Sequence, residues 1–400
     1  MRILLPFCRS VPERSFYQDF HQGTAEALHE LGHEPIVFPF VAMGKPPEEE
    51  IDALYLQLEA GRVDAVLDLA CWSYGLSQIA VRQGGEEEPI FDVFDVPYAG
   101  MLLDQPHNQA LNGIQARRLY ATYPDLGHPE QARLTFPGLR LQGEIFAPPG
   151  IRPGNDRSAE SWPQRDIDVL YVGNLWTAAL ERFWRTPHAE IYEYPYDPGI
   201  CDAIADAALA EPERSLHLSV HAALAQRGAP SPDFLFQPHL RAVERFLRAT
   251  FRRDAVVSLA RSGVRMRVIG GGWDKVALPG NVEFGEETDY EGFFRLAGRA
   301  KICLDASTYL DGANDRVFSY ALNRAVCFTN AAGYLRRAFG GNDGMRFYSL
   351  RDVAELGEQV NSLLARPDEL REAGERARRA VLAAHTWRHR VAGILEAMSR

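Results

Sequence analysis

Short apolar runs alternate with longer amphipathic stretches along most of this chain. That alternation leaves few folds open, because it is the signature of parallel strands joined by covering helices. Residues 3–8, 36–40, 63–70 and 96–102 read as strands, and 16–31, 48–60, 73–83 and 107–121 as helices, the first stopping at Gly32 as at a natural C-cap. These elements make one doubly wound lobe. From 122 to 165, Pro124, Pro129, Pro137, Pro148, Pro149, Pro153 and Pro163 interrupt any long element, so this stretch reads as a connector.

Residues 167–174 then form a strongly apolar strand ending in a glycine turn, the way a second Rossmann-like lobe opens. A helical region follows. The alternation resumes at 264, with strands at 265–272, 282–285, 301–306 and 325–329, helices at 290–299 and 316–322, and a largely helical tail over 349–398. Four hundred residues exceed what one hydrophobic core organises. The expected architecture is therefore α/β, with two Rossmann-like doubly wound lobes and a helical C-terminal tail. Its parts are an N-terminal domain with its connector (1–165), a C-terminal domain (166–375) and a final helix (376–400). Such lobes bind ligands at the carboxyl ends of their strands.

The composition, 46% hydrophobic and 24% charged, is that of a globular protein and excludes disordered, collagen-like and coiled-coil classes. A net charge of −11 repels phosphate backbones and anionic lipid, so neither nucleic acid nor a membrane surface is an expected partner. Only Lys45, Lys275 and Lys301 among the 43 basic residues are lysines, a skew general enough to reflect genome composition. Cys8, Cys71, Cys201, Cys303 and Cys327 are scattered without a C-x-x-C pair and read as buried thiols in a reducing compartment. With no apolar stretch of membrane-spanning length and no signal-peptide pattern, a bacterial, cytoplasmic protein is expected. The acidic runs 48–50 and 86–88 read as solvated faces.

Several chemistries lack their motifs. The first strand runs into Phe7-Cys8-Arg9-Ser10-Val11-Pro12, without the G-x-G-x-x-G of a dinucleotide site, and there is neither a Walker A loop nor a G-x-S-x-G elbow. The pairs His29/His33, His217/His221 and His385/His389 have the spacing of metal ligands. None carries the H-E-x-x-H glutamate or an evident third ligand, so no metal is expected. The second lobe is more informative. Val268-Ile269-Gly270-Gly271-Gly272-Trp273 brings three glycines to the end of a strand, where backbone can approach a ligand closely. Further on, the polar loop 305–314 leads into Asp315-Arg316 at a helix start, a place for a phosphate.

The stretch 264–330 resembles the donor-binding lobe of GT-B glycosyltransferases, and in detail the spore-maturation CgeB-type branch of the family-4-like group. The matching segments are 267–273, 281–285, 300–304, 316–319 and 325–329, with His385-Thr386-Trp387-Arg388-His389-Arg390 as a second match. The first lobe is similar in its order and in Asp104-Gln105-Pro106 after a strand.

The resemblance implies a nucleotide-sugar donor as co-substrate and no other cofactor. The family's E-x7-E pattern falls on Asp311, near the transferring sugar, and on Ser319, where a carboxylate normally holds the ribose hydroxyls. A serine lacks that charged grip. The family's basic pair after the lobe's first strand is replaced by the uncharged Gly173-Asn174. Arg316 is therefore the leading candidate for the diphosphate, assisted by Asn314 and the amides of Gly271 and Gly272 beside Trp273. Gly285 to Tyr290 corresponds to the nucleobase loop, with Tyr290 either stacking on the base or packing.

The implied reaction is a metal-independent transfer, hexosyl in type, to an unknown acceptor: a surface glycan, a protein or a small molecule. In the first lobe His21, Asp104 and His107 are the candidates for base or acceptor-orienting group. The alternatives are a catalytically degenerate nucleotide-sugar-binding or partner-binding protein, favoured by Ser319, and a nucleotide-sugar 2-epimerase, whose acid and histidine pattern is not evident.

Overall fold

The computed structural model describes residues 1–41, 46–83, 85–158, 162–186, 197–226, 228, 236–330, 333–339 and 344–400. The chain divides into two compact units, one of residues 1–152 with 385–400 and one of residues 153–384.

In the first unit the elements run β1 (Arg2–Cys8), α1 (Phe16–Glu30), β2 (Glu34–Phe40), α2 (Glu48–Glu59), β3 (Ala65–Leu69), α3 (Tyr74–Ser77), β4 (Ala80–Gln83), β5 (Glu86–Pro89), α4 (Ile90–Val93), β6 (Tyr98–Met101), β7 (Leu119–Tyr123), α5 (His128–Thr135) and β8 (Gly143–Phe146). Six strands form a parallel sheet in the order β2-β1-β3-β6-β7-β8, and β4 pairs with β5 in a separate antiparallel hairpin. Every residue of β3, β6 and β7 is buried, as expected of a parallel sheet covered on both faces.

The sequence reading differs here in three places. The segment 107–121 is not a helix. It forms two 3-10 turns, Pro106–Asn108 and Leu111–Gly113, and then enters β7, with Gly113 so close to Tyr74 that a Cβ would come within 2.8 Å of its ring. The segment 73–83 holds only the single turn α3 before the chain enters the hairpin. The expected connector 122–165 carries α5 and the edge strand β8, because its prolines fall between elements or in a helix's first turn, where the missing N–H has no helical partner to lose.

The second unit runs β9 (Ile167–Val172), α6 (Pro198–Ala210), α7 (Leu216–Gln226), α8 (Phe236–Arg261), β10 (Met266–Ile269), β11 (Val282–Gly285), α9 (Tyr290–Arg299), β12 (Ala300–Leu304), α10 (Asp315–Leu322), β13 (Val326–Asn330), α11 (Gly333–Phe339), β14 (Met345–Tyr348), α12 (Glu355–Leu364) and α13 (Pro367–Ala384). Its parallel sheet has the order β11-β10-β9-β12-β13-β14. The chain leaves β9 for β10 and β11 on one side and then fills the other side from β12 outward. The strand order therefore reverses between β9 and β12, and a crevice opens at the carboxyl ends of such a pair.

The last helix, α14 (Trp387–Met398), belongs to the first unit, whereas α13 closes the second. Thr386 pairs with Ile151 as an isolated bridge, and the Trp387 ring lies 5.2 Å from that of Phe20 on α1. A Cβ on Gly23 would meet the indole at 2.2 Å, and one on Gly150 would meet the Trp387 backbone at 2.6 Å. The histidine-threonine-tryptophan segment is thus a docking site for the final helix.

Candidate functional site

The reversal point of the second sheet is built from the ends of β9, β10 and β12. Leu304 is in register with Tyr171, so Asp305 emerges beside Val172 and Gly173. Arg316, in the first turn of α10, donates from Nη1 to the Val172 carbonyl at 3.1 Å, and its Nη2 lies 3.3 Å from Asp305 Oδ1. The Asp305 side chain is fully buried and also accepts from Asn314 Nδ2 at 3.1 Å and Thr329 Oγ1 at 3.0 Å. Asn314 caps α10 by accepting from the Val317 amide. Burial works against the charge on Arg316, but Asp305, followed by Tyr320, lifts its pKa above the usual guanidinium value.

Two glycine turns interlock beside this arginine. Gly173 donates to the Ile269 carbonyl and Leu175 to the Gly271 carbonyl, each at 2.9 Å, while the Gly271 amide donates to Asn174 Oδ1 at 2.8 Å. Asn174 also donates to Glu287 Oε1, so its amide side chain ties the two turns to the loop after β11. The glycines have distinct reasons. Gly270 and Gly272 have φ of +127° and +85°, and a Cβ on Gly272 would stand 2.0 Å from the Leu175 carbonyl. At Gly173 a Cβ would stand 3.0 Å from Arg316 Nη1 and 3.1 Å from the Tyr171 hydroxyl. At Gly271 it would meet nothing within 4 Å.

Trp273 sits beneath these turns. Only 1% exposed, it donates from its indole nitrogen to the Gly173 carbonyl at 2.8 Å and meets Tyr171 edge to face at 5.3 Å. Through these contacts it holds the Gly173 turn. The Tyr171 hydroxyl is buried and has no hydrogen-bond partner among the described residues.

Ser319 is fully buried and donates to the Asp315 carbonyl one turn back at 2.9 Å. Tyr290 donates to Asp315 Oδ2 at 2.7 Å and packs against Phe293 and Phe294, with ring centroids 5.5 and 4.7 Å away. Burial raises the pKa of Asp315. Asp311 pairs with Arg337 at 2.7 Å in the loop before α10. Gly285 ends β11, where a Cβ would strike Ile269 Cδ1 at 2.3 Å.

The sequence reading missed two arginines. Arg252 on α8 donates from Nη1 to the Asn174 carbonyl at 3.0 Å. Arg248, one turn earlier, pairs at 2.6 Å with Glu244, whose side chain is 1% exposed. A usable signal existed, since Arg241, Arg245, Arg248 and Arg252 recur on one helical face. Arg245 from the same face lies over the Trp176 ring at 5.0 Å.

In the first unit, Asp104 lies in the turn after β6 and accepts from the Gln105 amide at 2.8 Å. His107, buried in the following 3-10 turn, meets Gln131 Nε2 through Nδ1 at 2.7 Å. His21 on α1 is 6% exposed, with Nε2 3.4 Å from the Leu5 carbonyl and its ring edge on Phe7 at 4.9 Å. Burial lowers its pKa, partly offset by the Leu5 carbonyl, which favours the neutral ring. A second buried cluster lies at the end of β3. Asp68 accepts from Tyr98 Oη at 2.7 Å and from the Ser73 amide at 3.2 Å, and burial pushes its carboxyl up to about 7 against those bonds.

Residues 245–396 match the family model described as glycosyl transferase-like. Among solved structures, an alpha-glucosyltransferase in complex with UDP is similar over 100% of both chains, at 8% identity and a TM-score of 0.55. HepE of Anabaena in complex with UDP-glucose is similar over 100% of this chain and 99% of its own, at 11% identity and 0.52. AviGT4, a glycosyltransferase involved in avilamycin A biosynthesis, is similar over 100% and 97%, at 15% identity and 0.51. No curated protein matches the chain by sequence. The fold is that of the GT-B enzymes, two parallel-sheet α/β domains. No helix among the described residues is long and apolar enough to cross a membrane.

Proposed function

We propose that this chain, with a glycosyl transferase-like segment on a GT-B fold, is an enzyme that moves a sugar from a nucleotide-activated donor to an acceptor. The observation that carries the reading is the junction of the Gly173 and Gly270–Gly272 turns with Arg316 at the reversal point of the second sheet. Backbone, a helix start and a guanidinium meet there, the combination that suits a diphosphate. UDP-sugars are the first donors to test, because the similar alpha-glucosyltransferase and HepE hold UDP and UDP-glucose.

In the transfer the bond from the anomeric carbon to the diphosphate oxygen breaks and its electron pair stays on the diphosphate. The acceptor oxygen forms the new bond and gives up its proton to a base. Arg316 and the N-terminal end of α10 offset the growing negative charge on the leaving group, a role for which the reading requires no divalent metal. Asp311 is the proposed acid nearest the sugar. On the acceptor side Asp104 is the first candidate for proton transfer, ahead of the buried His107 and His21. The CgeB-type, family-4-like assignment rests on the segments 267–273, 281–285 and 316–319. A reducing bacterial cytoplasm is proposed from five free, buried cysteines, and an acceptor other than nucleic acid from the net charge of −11.

One observation favours a second reading, a binding protein without turnover: Ser319 is buried where relatives place a ribose-binding carboxylate. Incubation with a panel of UDP-, GDP-, ADP- and TDP-sugars, with and without EDTA, separates the two. Slow release of nucleoside diphosphate that survives EDTA and is lost in Arg316→Ala supports the enzyme. Ligand-induced thermal stabilisation without any release supports the binding protein, and silence in both assays refutes the donor site.

A further inference from the structure

We propose that Arg252, reaching the Gly173–Asn174 turn from α8, is a second guanidinium that receives the donor's phosphate oxygens beside Arg316, with the Tyr171 hydroxyl as a further donor next to it. The inference rests on the donor-site reading and adds to it the element that supplies the charge. Three arginines come to the end of β9, and two have carboxylate partners with almost no solvent exposure: Arg316 with Asp305 and Arg248 with Glu244. Arg252 has none among the described residues. Its Nη1 bonds a neutral carbonyl and its buried Nε has no partner.

An unpaired guanidinium in a partly buried place is costly unless an anion completes it. Burial holds the pKa of Arg252 below the usual guanidinium value; Tyr171 and Asp305 oppose that shift, and Arg316 and Arg248 add to it. The Tyr171 hydroxyl, in a side chain 1% exposed, is the second incomplete donor, and both Arg252 and Arg316 act on it electrostatically. It stands at the gap left by the absent side chain of Gly173, where a Cβ would be 3.1 Å from it. A neutral ribose or base would leave the excess positive charge unmet, whereas phosphate oxygens accept from the hydroxyl and offset the guanidinium together. The uncharged Gly173-Asn174 turn thereby receives from α8 the charge it lacks in its own sequence.

Titration calorimetry with UDP, uridine and inorganic pyrophosphate on the full chain tests this. Arg252→Gln is expected to weaken UDP about tenfold to hundredfold, the range of one charged hydrogen bond, to weaken pyrophosphate as well and to leave uridine unchanged. Arg252→Lys should fall between. Tyr171→Phe guards against misfolding, because it removes a hydroxyl with no hydrogen-bond partner among the described residues. Its melting temperature should stay level or rise while UDP affinity drops several-fold. Equal losses for UDP and uridine in Arg252→Gln would overturn the inference as a structural effect. Wild-type UDP affinity in both variants, with loss only in Arg316→Gln, would overturn it while leaving the donor site intact. Silence of the wild-type protein towards UDP, GDP, ADP, TDP and pyrophosphate would overturn both.

Discussion

The three glycines after β10 look equivalent in the sequence, and their surroundings predict three unequal alanine variants. At Gly272 an alanine would take φ of +85°, which costs a residue with a Cβ about 1–2 kcal/mol. The Cβ would also stand 2.0 Å from the Leu175 carbonyl. That oxygen cannot simply swing away, because Leu175 is bonded through its amide to Gly271 and the two turns are tied again through Asn174. Overpacking of this kind adds about 1–3 kcal/mol, so Gly272→Ala should destabilise the second unit by about 2–5 kcal/mol. Gly270→Ala, at φ +127° and 2.7 Å from both Asn174 Oδ1 and the Gly173 carbonyl, should come close behind.

Gly271 is the control. Its φ is not positive and its Cβ would meet nothing within 4 Å, so the alanine should be neutral or gain a few tenths of a kcal/mol from a stiffer unfolded chain. For a unit of this size, scanning calorimetry should read the Gly272→Ala loss as a fall of about 5–15 °C. Gly271→Ala should melt with the wild type. If Gly271→Ala melted as low as Gly272→Ala, or if Gly272→Ala melted with the wild type, the account of these turns would be wrong.

Two further outcomes are expected. Ser319→Ala should leave the UDP dissociation constant unchanged and shift stability by no more than about 1 kcal/mol, because among the described residues its hydroxyl bonds the Asp315 carbonyl alone; a tenfold loss of UDP binding would return the ribose to this position. Asp68 binds its proton more tightly in the fold, at about 7, than at its ordinary 3.8. The stability it contributes is therefore full below pH 3.8 and lost as pH rises through 7. Between pH 5 and pH 8 the wild-type melting temperature should fall more steeply than that of Asp68→Asn, and parallel curves would refute the assignment.

The strands read at 3–8, 167–174 and 301–306 were legible because a parallel sheet covered on both faces demands unbroken apolar runs; the structure sets the last two at Ile167–Val172 and Ala300–Leu304. The edge strands β8 and β14 were not, since GEIF and MRFY are short and only partly buried. The run 107–121 has apolar residues at helical spacing, yet the close pass of Gly113 by Tyr74 and the pairing of β7 with β6 and β8 outweigh that local signal. At the candidate site, the sequence alone marked both glycine turns and the start of α10, because backbone that adopts a positive φ needs glycine and a helix start needs its cap.

The sequence did not settle which of those residues face outward. Ser319 and Trp273 fit a family pattern, but burial turns one onto its own helix and the other beneath the turn it holds. Nor could it place Arg252, which meets Asn174 across 78 positions of chain. The glycines followed from backbone geometry local to each turn, whereas the balance of charge at the end of β9 depends on which arginines of α8 pack against it, and that is decided only when the whole unit closes.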